Sequence, residues 1–184
     1  NTITGLNPNL SILLDLSSSN ISDLTGIGCF TALTVLSCGS NQLTSLDVSN
    51  NTALHTLYCS QNQLTSLDVS NNLALTQLEC NNNQLTTLDV SSNTALLFLH
   101  CPDNQLTSLD LSQNTAFSKL YCQNNQLTSL DLRNGNNINF DTGYVSLNAT
   151  GNNLTTVYVD NVANANARVA AGSWVFDAGV IFSI

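Results

Sequence analysis

The chain contains few charged residues and very few cationic ones. Asp, Glu, Lys and Arg make up 8% of its 184 residues, and Lys and Arg together number only 3. The resulting net charge of −9 excludes a typical nucleic-acid binder, because such proteins need a cationic surface to displace counterions from phosphates. No stretch approaches the roughly 20 apolar residues of a membrane span, so we expect no membrane insertion. Hydrophobic residues still make up 42% of the chain, which is enough to form a core.

A repeat of 21 residues dominates the sequence. The text NQLTSLDVSNNTA at residues 41–53 recurs as NQLTSLDVSNNLA at residues 62–74 and in close variants further on. A fixed period of this size is typical of a solenoid in which every repeat forms one coil. Five cysteines follow the same 21-residue spacing: Cys38, Cys59, Cys80, Cys101 and Cys122.

Each repeat divides into two similar halves. Residues 54–62 (LHTLYCSQN) and 64–72 (LTSLDVSNN) share the pattern L-x-x-L-x-φ-x-x-N, where φ is apolar. The triplets Leu-x-Cys and Leu-Asp-Val alternate inward and outward positions, as a short strand requires. We therefore predict a β-rich leucine-rich-repeat solenoid of about seven coils, with short parallel strands on two opposite faces. Almost no helix is expected, because 21 residues leave no room for a crossover helix of normal length.

We expect one domain over residues 1–184 with distinct ends. Residues 1–38 are predicted to form an N-terminal cap and a degenerate first coil, and residues 39–132 the regular repeats. Residues 133–184 are predicted to form an irregular coil, with Ala149 in the Cys column, and a C-terminal cap. A short helix over residues 162–171 belongs to this cap. Four apolar side chains are expected to cover the last coil: Trp174, Phe176, Ile181 and Phe182.

Asn residues recur at two positions of each repeat. One column runs from Asn41 to Asn125 and the other from Asn51 to Asn114. Because Asn at a turn can bond backbone groups that would otherwise be unpaired, we interpret both columns as structural.

Several motifs resemble those of a known family. The motifs LTSLDVSNNTAL, LYCSQNQLTSLDVS, ISDLTGIGCFTAL and DLRNGNNINF resemble secreted or cell-surface leucine-rich-repeat proteins of Bacteroidetes-type bacteria, and ISDLTGI is similar, more distantly, to internalin-type repeats. The resemblance covers roughly residues 14–184. It implies an extracellular or cell-surface binding module that is part of a larger multidomain chain.

The two predicted faces differ in their outward residues. On the Leu-Asp-Val side, called the constant face here, Thr, Ser and Asp recur at each coil. On the Leu-x-Cys side, called the variable face, the residue before Cys is in turn Ser37, Tyr58, Glu79, His100 and Tyr121. A constant scaffold with one variable face favours recognition of a protein or carbohydrate. The predicted ligand-binding residues are Tyr58, Glu79, Phe98, His100, Lys119 and Tyr121.

Other functions stay open at this point. The chain could be a structural spacer of a larger secreted protein, with no ligand of its own. The Asp column could bind calcium, which takes oxygen ligands, although a flat column does not converge several oxygens on one point. The Thr, Ser and Asp rows could also meet ice or a crystal surface. The Asp column comprises Asp47, Asp68, Asp89, Asp110 and Asp131.

The cysteines and histidines give no support for an enzyme. We expect five buried thiols without a redox role, while Cys29 lies outside the column. His100 is next to Cys101, but strand alternation separates their side chains, and no nucleophile with an orienting partner is evident. We therefore predict no catalysis and no cofactor.

Overall fold

Short parallel strands stack along two sides of the chain. The computed structural model describes residues 13–136 and 145–184, so the predicted cap at residues 1–12 and residues 137–144 of the irregular coil lie outside it. The strands are β1 (Leu13–Asp15), β2 (Val35–Ser37), β3 (Thr56–Tyr58), β4 (Gln77–Glu79), β5 (Phe98–His100), β6 (Ser108–Asp110), β7 (Lys119–Tyr121), β8 (Ser129–Asp131), β9 (Leu147–Asn148), β10 (Thr156–Tyr158), β11 (Trp174–Val175) and β12 (Ile181–Ser183). Among the described residues, one α-helix, α1, spans Val162–Ala170, close to its predicted bounds, and a short 3₁₀ helix spans Ile27–Cys29.

The variable face carries a continuous parallel sheet. Eight strands are hydrogen-bonded in the order β1-β2-β3-β4-β5-β7-β9-β11. The chain is thus a leucine-rich-repeat solenoid of about eight turns, one more than the sequence indicated. In the first coil Leu14 lies opposite Leu36, which places Leu16 opposite Cys38. Across the insertion Leu120 lies opposite Leu147, so that Ala149 falls in the Cys column.

The constant face carries a shorter sheet than predicted. Its four strands, in the order β12-β10-β8-β6, begin only at Ser108, and residues 45–47, 66–68 and 87–89 of the earlier coils are not strands. In these coils Leu67 and Leu88 each remain 7% exposed, whereas Leu130 in the sheet is 0% exposed. Shallow grooves open between these coils. The second ladder is therefore limited to the C-terminal half.

Apolar side chains from both faces form one core. The leucines of the variable-face strands from Leu36 to Leu147 are fully buried, and so are the five column cysteines. Burying one large aliphatic side chain contributes about 1.5–3 kcal/mol before conformational entropy is counted. A coil buries these residues only against its neighbours, so stability depends on stacking.

The first column of Asn side chains joins consecutive coils from inside. Asn83 accepts a hydrogen bond from the backbone N–H of Leu64 (3.0 Å) and donates to the carbonyl oxygens of Cys59 (3.1 Å) and Cys80 (3.0 Å). The same kind of bonding to the preceding coil occurs at Asn41, Asn62, Asn104, Asn125 and Asn152. The structural interpretation of this column is confirmed.

The second Asn column donates but does not accept. Asn93 donates to the carbonyl oxygens of Val69 (3.0 Å) and Asn72 (2.9 Å). Within the described residues, the buried amide oxygens of this column have no hydrogen-bond donor: Asn51, Asn72, Asn93 and Asn114. Each side chain of this column therefore contributes two bonds to the backbone, and each in the first column at least three.

The C-terminal cap packs three aromatic side chains beside α1. Asn161 caps the helix by accepting a hydrogen bond from the backbone N–H of Asn164 (2.9 Å). Trp174 is 1% exposed, and its ring centroid lies 6.5 Å from Phe176 and 6.4 Å from Phe182. The prediction for Ile181 is wrong, because this side chain is 62% exposed. In β12 the neighbouring Phe182, rather than Ile181, packs against the core.

Candidate recognition face

The strands of the variable face set their first and third residues outward. In β2, β3, β4, β5 and β7 the middle Leu is buried and the flanking side chains are half-buried. Parallel register then places Glu79 opposite His100, and His100 opposite Tyr121. It also places Phe98 opposite Lys119. Side chains from three coils therefore meet in two adjacent rows.

Three aromatic rings form a contiguous cluster on these rows. The centroids of Phe98 and His100 are 6.1 Å apart with nearly parallel rings. Tyr121 meets both rings edge to face, at 6.0 Å from Phe98 and 5.5 Å from His100. Such geometries are favourable for aromatic pairs. We call Phe98, His100 and Tyr121 the aromatic cluster.

The ammonium of Lys119 lies over this cluster. Its Nζ atom is 5.9 Å from the centroid of Phe98 and 5.5 Å from that of Tyr121. Ring faces attract cations at this range because of their electron-rich quadrupole. Arg133 forms an ion pair with Asp131, whereas the ammonium of Lys119 contacts aromatic rings.

Polar groups surround the cluster on its N-terminal side. Glu79 accepts a hydrogen bond from the side-chain amide of Gln77 (3.0 Å), and Nδ1 of His100 lies 3.1 Å from the amide oxygen of Asn81. Burial lowers the pKa of His100, although the negative charges of Glu79 and Asp103 partly oppose this. His100 is therefore a mainly neutral ring at pH 7.

The structure brings five of the six predicted binding residues together and leaves one apart. The rings of Phe98, His100 and Tyr121 contact one another, and Lys119 lies over two of them. Glu79 adjoins His100 in the next strand. Tyr58 lies beyond Glu79, in register with it, and no ring contact in the described chain joins Tyr58 to the cluster.

Some neighbours of the cluster were not predicted from the sequence. Gln77 and Asn81 occupy variable positions, and this variability was the only sequence signal for their role. The hydroxyl of Tyr121 donates to the carbonyl oxygen of Val145 (2.7 Å), which fixes the ring. Val145 lies in the coil after the insertion, at the register position that Ser118 occupies in the preceding coil.

The Asp column of the constant face has a local structural role. The carboxylate of Asp68 accepts a hydrogen bond from the backbone N–H of Ser70 (2.9 Å), two residues on, and each column member does the same in its own coil. Hydrogen bonds from Ser70 lower the pKa of Asp68 below its ordinary value of 3.8. In the two described ranges, no group of three His, Cys, Asp or Glu side chains could hold a metal ion.

The column cysteines are thiols enclosed in the core. Burial raises the pKa of Cys38 and of Cys122 to about 12, and it raises the pKa of Cys59, Cys80 and Cys101 as well. Cys101 points into the core while the adjacent His100 faces outward, so the two do not form a nucleophile–base pair. Cys29 is an exposed free thiol.

Several solved structures are similar to this chain, although no protein-family model and no curated protein matches it. The functional domain of InlJ from Listeria monocytogenes, described as including a cysteine ladder, is 29% identical with a TM-score of 0.65. YopM from Yersinia enterocolitica is 26% identical with a TM-score of 0.67. The leucine-rich-repeat protein LIC12759 from Leptospira interrogans is 21% identical with a TM-score of 0.67.

These structures are longer than the chain. The match covers 80% of this chain and 40% of InlJ, 87% and 32% for YopM, and 90% and 54% for LIC12759. In the part of the chain that the structure describes, no helix is both long and apolar enough to cross a membrane. The similarity extends over most of the coils and agrees with the repeat in the sequence. The chain therefore has the fold of the leucine-rich-repeat proteins.

Proposed function

We propose that this chain is a binding module that recognises a protein through its variable face. One observation carries the proposal: a continuous eight-stranded sheet presents an aromatic cluster with half-exposed side chains at its centre. Aromatic side chains on a rigid surface are the groups that most often anchor protein interfaces. Among the described residues the constant face presents no comparable group of three rings, and its Asp side chains accept hydrogen bonds within their own turns.

We further propose that the module acts outside the cell, within a longer protein. The surface is rich in uncharged polar residues, and similar structures such as InlJ are longer than this chain. Attachment to further domains would place the variable face at a distance from a cell surface. A structural spacer without a ligand is the alternative.

A binding screen with paired variants tests the proposal. The labelled chain is applied to an array of extracellular proteins and to an array of glycans, and is compared with Phe98→Ala and Leu73→Ala. Phe98 belongs to the aromatic cluster, whereas Leu73 is 61% exposed and lies outside the variable face. Thermal melting of each variant shows whether it is folded.

Each outcome of the screen decides between the functions. We expect binding to one or a few proteins that Phe98→Ala abolishes and Leu73→Ala preserves. The same pattern seen on the glycan array alone would instead identify a carbohydrate partner. No binding on either array would favour the spacer, and equal binding by both variants would show that the ligand is not held by the aromatic cluster.

A further inference from the structure

The aromatic cluster already holds a cation, which comes from the chain itself. The Lys119 ammonium lies over the rings of Phe98 and Tyr121. Its ring contacts are attractive because the ring faces are electron-rich, and the cluster is half-shielded from water, which strengthens them. The site is thus built to accept a positive group between aromatic rings.

Two carboxylates, those of Glu79 and Asp103, lie close enough to the aromatic cluster to act on His100. Glu79 lies opposite His100 in the adjacent strand, and Asp103 accepts a hydrogen bond from the uncharged amide of Asn124 (2.9 Å). Neither carboxylate forms an ion pair in the described ranges of the chain. The whole chain carries a net charge of −9 with only 3 Lys and Arg residues. The local field and the overall field therefore both favour a cationic partner.

An anionic or a sugar partner fits this arrangement less well. A carboxylate that approached Lys119 would also meet the negative faces of the rings and the carboxylate of Glu79. A sugar that stacked on Phe98 or Tyr121 would have to displace the ammonium of Lys119 without replacing its charge. A second cation can simply replace the first.

We infer that the protein partner inserts a Lys or Arg side chain of a basic segment into the aromatic cluster, where it displaces the ammonium of Lys119 from Phe98 and Tyr121. This inference rests on the proposed function and specifies the chemistry of its partner. Lys119 acts as an internal competitor that keeps the cluster occupied until the partner arrives. Glu79 and Asp103 provide the attraction that draws the basic segment to the cluster.

Titration with short charged peptides tests the inference. Acetylated hexa-arginine amide and hexa-glutamate amide, each with a fluorescent label, are titrated with the chain at about physiological salt, and anisotropy gives the Kd. Lys119→Gln removes the internal competitor, and Arg168→Gln is the matched control because it removes one positive charge elsewhere. Glu79→Gln removes a carboxylate at the cluster, and Asp68→Asn removes one from the constant face.

We expect opposite shifts from the two cluster variants. Lys119→Gln should tighten hexa-arginine binding about 3- to 10-fold, and Glu79→Gln should weaken it about 3-fold or more, which are typical effects for cation–aromatic and charged contacts. Arg168→Gln and Asp68→Asn should each change the Kd by less than about 1.5-fold, since salt screens charges that lie far from the cluster.

Three results would overturn the inference. One is a control variant that shifts the Kd as much as its cluster counterpart, since binding would then follow net charge alone. Another is hexa-glutamate binding that Lys119→Gln abolishes, and the third is no hexa-arginine binding at millimolar peptide. None of these removes a protein captured on the array through Phe98, so the proposed function is tested separately.

Discussion

Removal of Asn83 should cost more stability than removal of Asn93, although both are buried amides of the same size. In Asn83→Ala the backbone N–H of Leu64 loses its acceptor. The carbonyl oxygens of Cys59 and Cys80 lose one bond each but keep another, from Asn62 and Asn104 respectively. A buried unpaired N–H costs about 1–3 kcal/mol, and each lost bond about 0.5–1.5 kcal/mol. The expected loss is about 2–6 kcal/mol.

Removal of Asn93 breaks fewer hydrogen bonds than removal of Asn83. In Asn93→Ala the carbonyl oxygen of Val69 still accepts from the backbone N–H of Asn72, and that of Asn72 from the N–H of Leu75. No backbone group is left unpaired, and the variant also removes a buried amide oxygen that has no donor among the described residues. The expected loss is about 1–2 kcal/mol.

Urea unfolding followed by circular dichroism measures both losses as free energies of unfolding. Asn71→Ala is the matched control, because Asn71 is an exposed Asn in the turn beside the second column, and it should stay within about 0.5 kcal/mol of the parent. A loss at Asn83 that equals the loss at Asn93, or that matches the control, would refute the reasoning. It would show that the unpaired N–H of Leu64 finds another partner.

Three further outcomes are expected. Stability should fall as the pH drops below 3.8, because the pKa of Asp68 and of Asp47 in the folded chain lies below this ordinary value, so the unfolded chain takes up protons first. Melting temperatures measured from pH 6 to pH 2 show this loss of stability. Only Cys29 of the 6 cysteines should react with Ellman's reagent in the native state, and all 6 in guanidinium. Phe182→Ala should increase the quenching of Trp174 fluorescence by iodide, because Phe182 covers this side chain.

Each of these outcomes has a definite counter-result. A melting temperature that rises on acidification would show that the Asp carboxylates repel more than they bond. Rapid reaction of more than one thiol in the native state would contradict the enclosed cysteine column. Unchanged quenching in the Phe182 variant would mean that other groups shield Trp174.

The 21-residue spacing was sufficient to predict the register of the solenoid. Cysteines 21 residues apart lie in one buried column, and Ala149 occupies it after the insertion as the sequence indicated. Periodicity fixes register because a slip of one residue would expose every inward Leu. The cap helix lies outside the repeats, and it begins directly after Asn161, close to its predicted bounds.

The shorter sheet of the constant face could not be predicted in this way. The sequence there is almost identical in every coil, yet residues 87–89 are not a strand while Ser108–Asp110 is. Strand pairing depends on the distance between neighbouring coils, which is set by the packing of the whole stack rather than by one repeat. In the earlier coils, single bonds such as the one from the N–H of Gln84 to the carbonyl oxygen of Leu64 join this side.

The candidate site was predicted in composition but not in geometry. Strand alternation placed Phe98, His100 and Tyr121 on one surface, and their ring contacts agree with it. The position of the Lys119 ammonium depends on side-chain rotamers, which no spacing rule describes. The exclusion of Tyr58 from the cluster follows from the intervening Glu79 in the register.

The first Asn column also determines how further coils can be added to this protein. Each 21-residue unit carries both the amide that bonds the coil before it and the carbonyl oxygens that the next coil will bond, as Asn83 and Cys80 show. Duplication of one unit therefore adds a complete coil without leaving any backbone group unpaired. Every duplicated coil also adds one outward triplet to the variable face. The area available for recognition can thus increase by gene duplication, with no redesign of the core.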